Sequence, residues 1–503
     1  MPPGFTIGAH LREGDWVREF RLACAIVAAW TAGPNGLAGQ SVRITGVTHA
    51  QYVDLQPLRV DSIPASETFG SGILRRAPNG AVVRCLTGED YCLLSGAGES
   101  VYALPLLQDV SVSAWGLGRG VRFFARLRGR ASASQETGLW PKGNDAFDAL
   151  VAYLELDRGD YRVRGGRQWM VSGLGFYNFD GASVLYRPVD GLAVEGYGGW
   201  SLARGLDEPR TSASLSAIEP FAPDDRGMIL GISGTYRPSL ATSVSALYQR
   251  EIRTDRRDLY TDRVAMDGVI RRWGMSLTGS LEADLAGRQV NEAKLTGRFV
   301  GPGRLDTQLF ARRYRPFFEL WTIWGAFSPV GFTEGGLETR WRSERGSIVA
   351  GADLSRRSYD ETSLSSTFGP IRSDGWRAGL SLSGLLSDIW KADGRYDLDV
   401  GFGAAKSAAS VRVHRTLPEN GRLGFSLQAF QRIFEFRVDE GTVFGLGVDG
   451  GMKAGSRGYL SGTFAAYRHA VGRDSPGVDW SQLRASLRWE WTLGPEPGME
   501  GRQ

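Results

Sequence analysis

The chain has 503 residues, 42% of them hydrophobic and 11% aromatic, with a net charge of +4 and a mean hydropathy of −0.22. That mean excludes a bundle of apolar membrane helices, and beyond the N-terminus no apolar run approaches the ~20 residues a spanning helix needs. Acidic and basic residues are interleaved rather than clustered, which argues against a nucleic-acid-binding face.

Taken in chain order, residues 18–39 read as a secretory signal. Arg18 and Arg21 form a basic start, Leu22–Ala32 an apolar core, and Gly36-Leu37-Ala38 a small-residue cleavage site. The stretch before Arg18 is long and polar for such a signal, which places the expected translation start near Val17. Residues 40–107 have a different texture: a β-like run at Val42–Leu55, a Ser/Gly-rich stretch at Ala65–Gly72 and an Asn79-Gly80 turn. They read as a small β-rich periplasmic or plug-like extension, part of which could supply the first strand of the next region. Cys24 falls in the signal. Cys85 and Cys92, flanking a Gly-Glu-Asp turn, are expected to form a disulfide in an oxidising compartment. Two cysteines, with His49 far away, lack the ligands of a metal site.

From residue 108 to 494 the chain alternates apolar and polar residues in stretches separated by turns. Val121–Arg130 places Phe123, Ala125, Leu127 and Gly129 on one face and Arg126, Arg128 and Arg130 on the other. Ser481–Leu493 sets Leu483, Ala485, Leu487, Trp489 and Trp491 against Gln482, Arg484, Ser486, Arg488 and Glu490. A strand with lipid on one side and water on the other needs this period of two. Threaded back from the C-terminus, the tight connections fall at one end: Gly116–Gly120, Arg158–Asp160, Arg187–Gly191, Arg237–Leu240, Gly301–Arg304, Ser343–Gly346, Pro418–Gly421 and Lys453–Gly458. The long ones fall at the other: Ser132–Asp145, Arg204–Arg226, Pro316–Gly331, Asp360–Ser373 and Val471–Asp479. The expected fold is therefore all-β: a transmembrane antiparallel β-barrel of about 20 strands, an even number between 16 and 22, followed by a tail at 495–503. A propeller would show a repeat of about 40–50 residues, and none is found.

Chemistry is sparse. The histidines beyond the signal are His49, His414 and His469, none with a nucleophile pattern beside it, so no enzyme activity and no cofactor are expected. The arginines are more telling. Arg126, Arg128 and Arg130 alternate on one strand; Arg162 and Arg164 alternate on a later one, with Arg167 close by; Arg313 pairs with Arg315, and Arg340 with Arg342. Lumen arginines can set the field of a channel, or they can pair with carboxylates on adjacent strands as a solvated wall. Pro316–Pro329 is the densest aromatic stretch, with Phe317, Leu320, Trp321 and Trp324 at helical spacing and Glu319 among them. It is a candidate constriction loop, or a plug packed on the wall.

Two resemblances bear on this reading. Ser481–Leu493 is similar to the C-terminal assembly strand of bacterial outer-membrane barrels, although about a dozen residues follow Trp491 where that strand usually ends the chain. Gly166-Arg167-Gln168, Phe179-Asp180-Gly181 and Gly198-Gly199 resemble strands of outer-membrane porin-like barrels of the alginate-export and carbohydrate-porin type. The resemblance covers roughly forty residues and implies passive transport of a small polar or anionic solute, with oligosaccharides as one class. Outer-membrane lipid and the outer-membrane assembly machinery are the implied partners. Two other readings stay open: a non-conducting scaffold, assembly or secretion barrel, and a barrel hydrolase.

Overall fold

A computed structural model describes residues 41–494, apart from 57, 86–87, 134–146, 203–226, 254–260, 316–330, 361–372, 402–403, 436–440, 474 and 476. The signal, the loop residues Phe317, Glu319, Trp321 and Trp324, and the tail lie outside the described residues.

The strands are β1 (Ser41–Leu55), β2 (Leu58–Pro64), β3 (Leu74–Arg76), β4 (Val82–Cys85), β5 (Tyr91–Ala97), β6 (Val101–Ala103), β7 (Pro105–Trp115), β8 (Val121–Ser132), β9 (Phe147–Asp157), β10 (Tyr161–Ser172), β11 (Gly175–Val189), β12 (Leu192–Ser201), β13 (Gly227–Ser239) and β14 (Thr242–Arg253). They continue as β15 (Thr261–Arg272), β16 (Met275–Asp284), β17 (Gln289–Val300), β18 (Leu305–Tyr314), β19 (Phe332–Arg342), β20 (Ile348–Tyr359), β21 (Asp374–Leu385), β22 (Trp390–Gly401), β23 (Ala404–Leu417), β24 (Gly421–Glu435), β25 (Gly441–Lys453), β26 (Gly458–Val471) and β27 (Trp480–Leu493).

Strands β1 and β7–β27 form a closed antiparallel barrel of 22 staves. Each is paired with its sequence neighbour, and β1 closes the circle between β7 and β27. Closure satisfies the backbone without a free edge, the condition for spanning lipid with strands. Strands of 10–15 residues, at about 3.3 Å per residue and tilted by about 40°, cover a hydrocarbon band about 25 Å tall.

Alternation sorts the two faces as expected. Leu309 (61% exposed), Leu380 (61%) and Leu427 (59%) look outward, whereas the intervening Gln308, Ser381 and Ser426 look into the lumen. In register, Phe464 lies across from Ala485, Gly462 from Leu487 and Leu460 from Trp489, so the apolar side of β27 belongs to the same outer band. Trp341, Trp489 and Tyr186 lie outward near the tight turns, and Trp200 and Trp376 outward near the opposite rim. These are the two aromatic girdles of a membrane barrel.

Part of residues 40–107 supplies the first strand of the barrel. Residues 40–107 are not set apart from the barrel: Ser41–Leu55 is its first stave, with Ala50 across from Leu487 on one side and from Leu106 on the other. Its outward side chains include Gly46, Thr48 and Ala50, so apolar contrast along it is weak and the closing role depends on its neighbours. Ser41 lies across from Trp115, beside the Gly116–Gly120 turn, so Leu55 and all that follows it lie at the long-connection end. There β2–β5 make a separate four-stranded sheet, in the order β2-β5-β4-β3. It is cored by Ala77, Val83, Cys85 and Cys92, and Cys85 and Cys92 are disulfide-bonded directly across the β4–β5 ladder.

Two further tight-end turns, not among those read from the sequence, belong to the 22 staves. Trp273-Gly274 connects β15 to β16 with both residues at positive φ (53° and 75°), the requirement of a type I′ hairpin met here by a tryptophan. A second turn, residues 386–389, joins β21 to β22.

Candidate permeation pathway

Strands β8 and β10 concentrate arginine on the inner wall, among carboxylates of β7, β9 and β12. On β8, Arg126 and Arg128 both bind Asp109 of β7, at 2.8 and 2.7 Å, and Arg130 pairs with Asp148 of β9. On β10, Arg164 binds Glu155 of β9 at 2.8 Å, and Arg162 lies 4.0 Å from Glu155 and 3.9 Å from Glu195 of β12. Arg122 approaches Glu155 as well, at 3.8 Å. Six guanidiniums thus meet four carboxylates, a local surplus of two positive charges. The antiparallel register makes this possible: Arg128 lies directly across from Asp109, and Arg164 from Glu155. The carboxylates hold the guanidiniums in place while remaining fewer than they are within this set of ion pairs. The pairing expected of a solvated wall is therefore present beside a net positive surplus.

The other predicted arginines divide. Arg340 and Arg342 face the lumen near the tight turns, with Arg340 across from Asp306. Arg313 does not face the lumen: it shares a face with Leu309 and Ala311 and looks outward at the long-connection rim, where it forms a bidentate pair with Asp360. Arg315, two residues on, has the same parity, while Arg312 is the inward residue and binds Glu292 at 2.9 Å. Beyond the end of β20, the Arg313 hydrogen bond holds the Asp360 carboxyl below the usual carboxylate range. Arg167 is also outward. It is three residues from Arg164, so period-two alternation turns it away from the lumen; it pairs with Asp180 at 2.7 Å and donates to the Ala149 carbonyl at 3.0 Å.

The lumen is narrowed by the β10–β11 hairpin. Its two-residue turn, Gly173-Leu174, leaves the wall and packs against the inner faces of β12–β15. Leu174, Tyr177 and Phe179 form one buried cluster with Tyr197, Ile229, Leu247 and Ala265, and Phe179 stacks on Tyr197 at 5.5 Å. Arg263 of β15, itself paired with Glu282, donates to the Leu174 carbonyl at 3.1 Å and to the Tyr177 hydroxyl at 2.6 Å. Gly173 sits so close to β15 that a Cβ would lie 3.1 Å from that of Ala265. Burying such side chains contributes roughly 1.5–3 kcal/mol each, so the tip is anchored rather than loose.

The three glycine motifs meet in register below this tip. Gly166 lies across from Gly181 and Gly181 from Gly199; Arg167 lies across from Asp180, and Gln168 from Phe179. A Cβ on Gly181 would sit 2.0 Å from the Gly198 carbonyl oxygen, and one on Gly199 2.3 Å from that of Asp180. The motifs allow three backbones to converge where the hairpin turns inward. Sequence reading grouped them but missed the constriction, because Gly173-Leu174-Gly175 breaks a strand without a polar turn signal.

The histidines make local contacts. His414 lies 3.8 Å from Asp393; His469 stacks on Trp480 at 5.3 Å and meets the Val478 carbonyl at 3.1 Å. Around β20–β26 the inward residues are mixed: Gly351, Ser381, Ser410, Ser426, Gly447 and Thr463 lie among charged side chains such as Asp353, Arg377, Arg395, Asp397 and Arg412.

No protein-family model matches the chain, and no curated protein does. Among solved structures, Acinetobacter baumannii OccAB1 is similar with 10% identity over 90% of this chain and 97% of that one, at a TM-score of 0.38. Pseudomonas aeruginosa OpdL is similar with 11% identity over 92% and 100%, at 0.35. A BenF-like porin from Pseudomonas fluorescens Pf-5 is similar with 10% identity over 91% and 100%, at 0.38. Similarity of this degree leaves the solute to be read from the barrel itself.

Proposed function

We propose that this protein is an outer-membrane porin-like channel for the passive passage of small polar solutes, with a preference for anions. The observation that carries the reading is the cluster of six arginines of β8 and β10 against four carboxylates of β7, β9 and β12 on the inner wall, facing a lumen narrowed by the β10–β11 tip. Arginine suits carboxylate and phosphate through its planar fork of donors. Charges are screened over about 8 Å at physiological salt, so a narrowed lumen is where the surplus acts on a passing ion. Short oligosaccharides bearing carboxylates are one solute class that fits, in line with the glycine-motif resemblance to carbohydrate porins.

Single-channel recording in planar bilayers tests this reading. Discrete conductance steps are expected, with a reversal potential in a potassium chloride gradient that favours chloride. A barrel that inserts fully yet shows no steps would sink the channel reading and favour the scaffold alternative.

A further inference from the structure

The outer wall of β15–β21 carries two open grooves in the apolar band, each of about 660 Å³. The first is floored by Gly297 and Gly335, walled by Leu309, Leu337 and Leu354, and ends at Arg356 and Trp376. The second is floored by Gly268 and Gly279, walled by Met266 and Leu281, and ends at Arg313. Leu295 and Ala311 line both, so the grooves adjoin. The walls belong to the outward set: Leu309 is 61% and Leu354 52% exposed, and register puts Leu337 between them.

The four glycines do not serve the backbone. None has a positive φ. A Cβ on Gly297 would meet nothing within 4 Å, and one on Gly335 only the Phe310 carbonyl oxygen at 4.0 Å; on Gly268 and Gly279 the nearest atoms would be 3.8 and 3.9 Å away. Gly181 and Gly199, by contrast, have carbonyl oxygens at 2.0 and 2.3 Å from such a Cβ. Glycine inside a strand weakens it. Four that neither a turn nor packing requires leave room on the lipid side for something outside the chain.

The rim above the grooves is basic. Arg313 lies across from Thr333 and Arg356 from Gly335, two residues along the same strand, β19. The two arginines thus flank β19, about 10 Å apart across the sheet. Arg356 lies over the Trp376 ring at 5.2 Å, in the aromatic girdle that marks the headgroup level. Asp374 is 3.9 Å from Arg356, beyond hydrogen-bonding distance, so among the described residues nothing takes up the donors of this guanidinium. Arg313 is held by Asp360, and Arg315 brings the arginines of this rim to three against the two carboxylates.

We propose that the grooves hold acyl chains of one phosphate-bearing glycolipid of the outer leaflet, with its phosphates on Arg313 and Arg356. Hydrocarbon is what fills an apolar groove at this depth, and the long connections mark the outer leaflet. The planar fork of arginine matches phosphate. Arginines on both sides of a strand suit a headgroup with two phosphates better than a single phosphodiester. Lipid A, an acylated disaccharide carrying two phosphates, has that chemistry. The site lies on the outside of the wall and does not depend on the channel reading.

Native mass spectrometry of the full-length barrel, delipidated and refolded in detergent, tests this with hexa-acylated diphosphoryl lipid A as the probe. One lipid per barrel is expected, at a half-saturating concentration about ten-fold below that of dephosphorylated lipid A or of phosphatidylglycerol. Gly297→Leu with Gly335→Leu fills the first groove and should raise half-saturation about ten-fold. Arg313→Gln with Arg356→Gln should erase the preference for the phosphorylated probe. Gly394→Leu is a control: it is outward, across from Leu382, and lines neither groove. It should change half-saturation by no more than about two-fold. Heat-modifiable migration in gels reports the folded barrel for each variant. Equal retention of the three lipids by the unaltered barrel would overturn the headgroup assignment, and needs no variant. Retention unchanged in a folded barrel with the groove filled would overturn the site. A lipid-free dimer that the filled groove dissociates would also overturn it, in favour of a second copy of the chain.

Discussion

The two sides of the lumen solve opposite problems with the same strand geometry. Along β11–β15 Phe179 of the folded hairpin and the inward Tyr197, Ile229 and Leu247 beneath it are almost fully buried together. Along β20–β26 glycine, serine and threonine lie among exposed charged residues such as Arg377, Arg395, Asp397 and Arg412, and no described hairpin covers them. Both sides are ordinary antiparallel wall with an apolar exterior. The difference shows that a barrel's bore is set less by strand number than by one element that departs from the sheet. A packed sector behaves like the core of a soluble protein, where substitutions change stability. An open sector behaves like a solvated surface, where they change permeation.

Phe179→Ala should have the largest effect. It removes an aromatic ring with no exposure from the packed sector, which costs about 3–5 kcal/mol in a core. The tip should loosen, the denaturation midpoint of the detergent-solubilised barrel should fall, and single-channel conductance should rise. A variant with unchanged midpoint and conductance would mean that the tip is not anchored by this cluster.

Arg126→Gln combined with Arg128→Gln should act on permeation instead. Asp109 loses both partners, and the six-to-four charge balance becomes four to four. Reversal potentials should show the anion preference reduced several-fold or lost. Stability should change by less than for Phe179→Ala, since both guanidiniums are partly exposed. An unaltered preference would place selectivity elsewhere, the inward Arg312 and Arg340 being the next to examine.

Replacing both cysteines, Cys85→Ser with Cys92→Ser, addresses a third region that belongs to neither sector. The loop closed by the bond is short, with a sequence separation of 7, so the loss should be about 2 kcal/mol, confined to the β2–β5 sheet. Limited proteolysis should cut residues 58–97 faster while conductance stays the same. A conductance change would show that this sheet reaches into the mouth of the lumen.

The smallest effect is expected in the open sector. Ser381→Ala replaces an inward hydroxyl on a solvated wall and should shift stability by no more than about 0.5 kcal/mol. A shift of several kcal/mol in the denaturation midpoint would mean that this side is packed as tightly as its counterpart.

Legibility differed along the chain for physical reasons. The faces of β8 and β27 were readable because apolar and polar residues alternate along them, with Phe124 the one apolar residue on the arginine face of β8, so a slip of one residue would put arginine in lipid. The expected lipid-facing set, Phe123, Ala125 and Leu127 on β8 and Leu487, Trp489 and Trp491 on β27, shares its face in register with the outer band. Arg313 and Arg315 looked like the same pattern, but at a rim, beyond the hydrocarbon, charge no longer distinguishes outside from inside. The Trp273-Gly274 turn was invisible because tryptophan is not a turn residue by composition; only the paired strands on either side force its φ positive. The pairing partners of the arginines were half legible: acidic residues on adjacent strands were expected, but not that Asp109 would serve two arginines and Glu155 three.

What the sequence by itself determined is the barrel: period-two alternation, tight turns at one end and long connections at the other, and the disulfide between two nearby cysteines. These are local properties, written in residue order and read at distances of a few residues. Only the tertiary structure decided how the barrel closes and what narrows it. Strand β1 becomes a stave because the sheet needs a partner for both β7 and β27. The β10–β11 hairpin turns inward because glycines at 166, 181 and 199 let three backbones converge, and because apolar side chains distant in sequence wait on the inner faces of β12–β15. Both outcomes depend on contacts between residues far apart along the chain, which alternation within a single strand does not record.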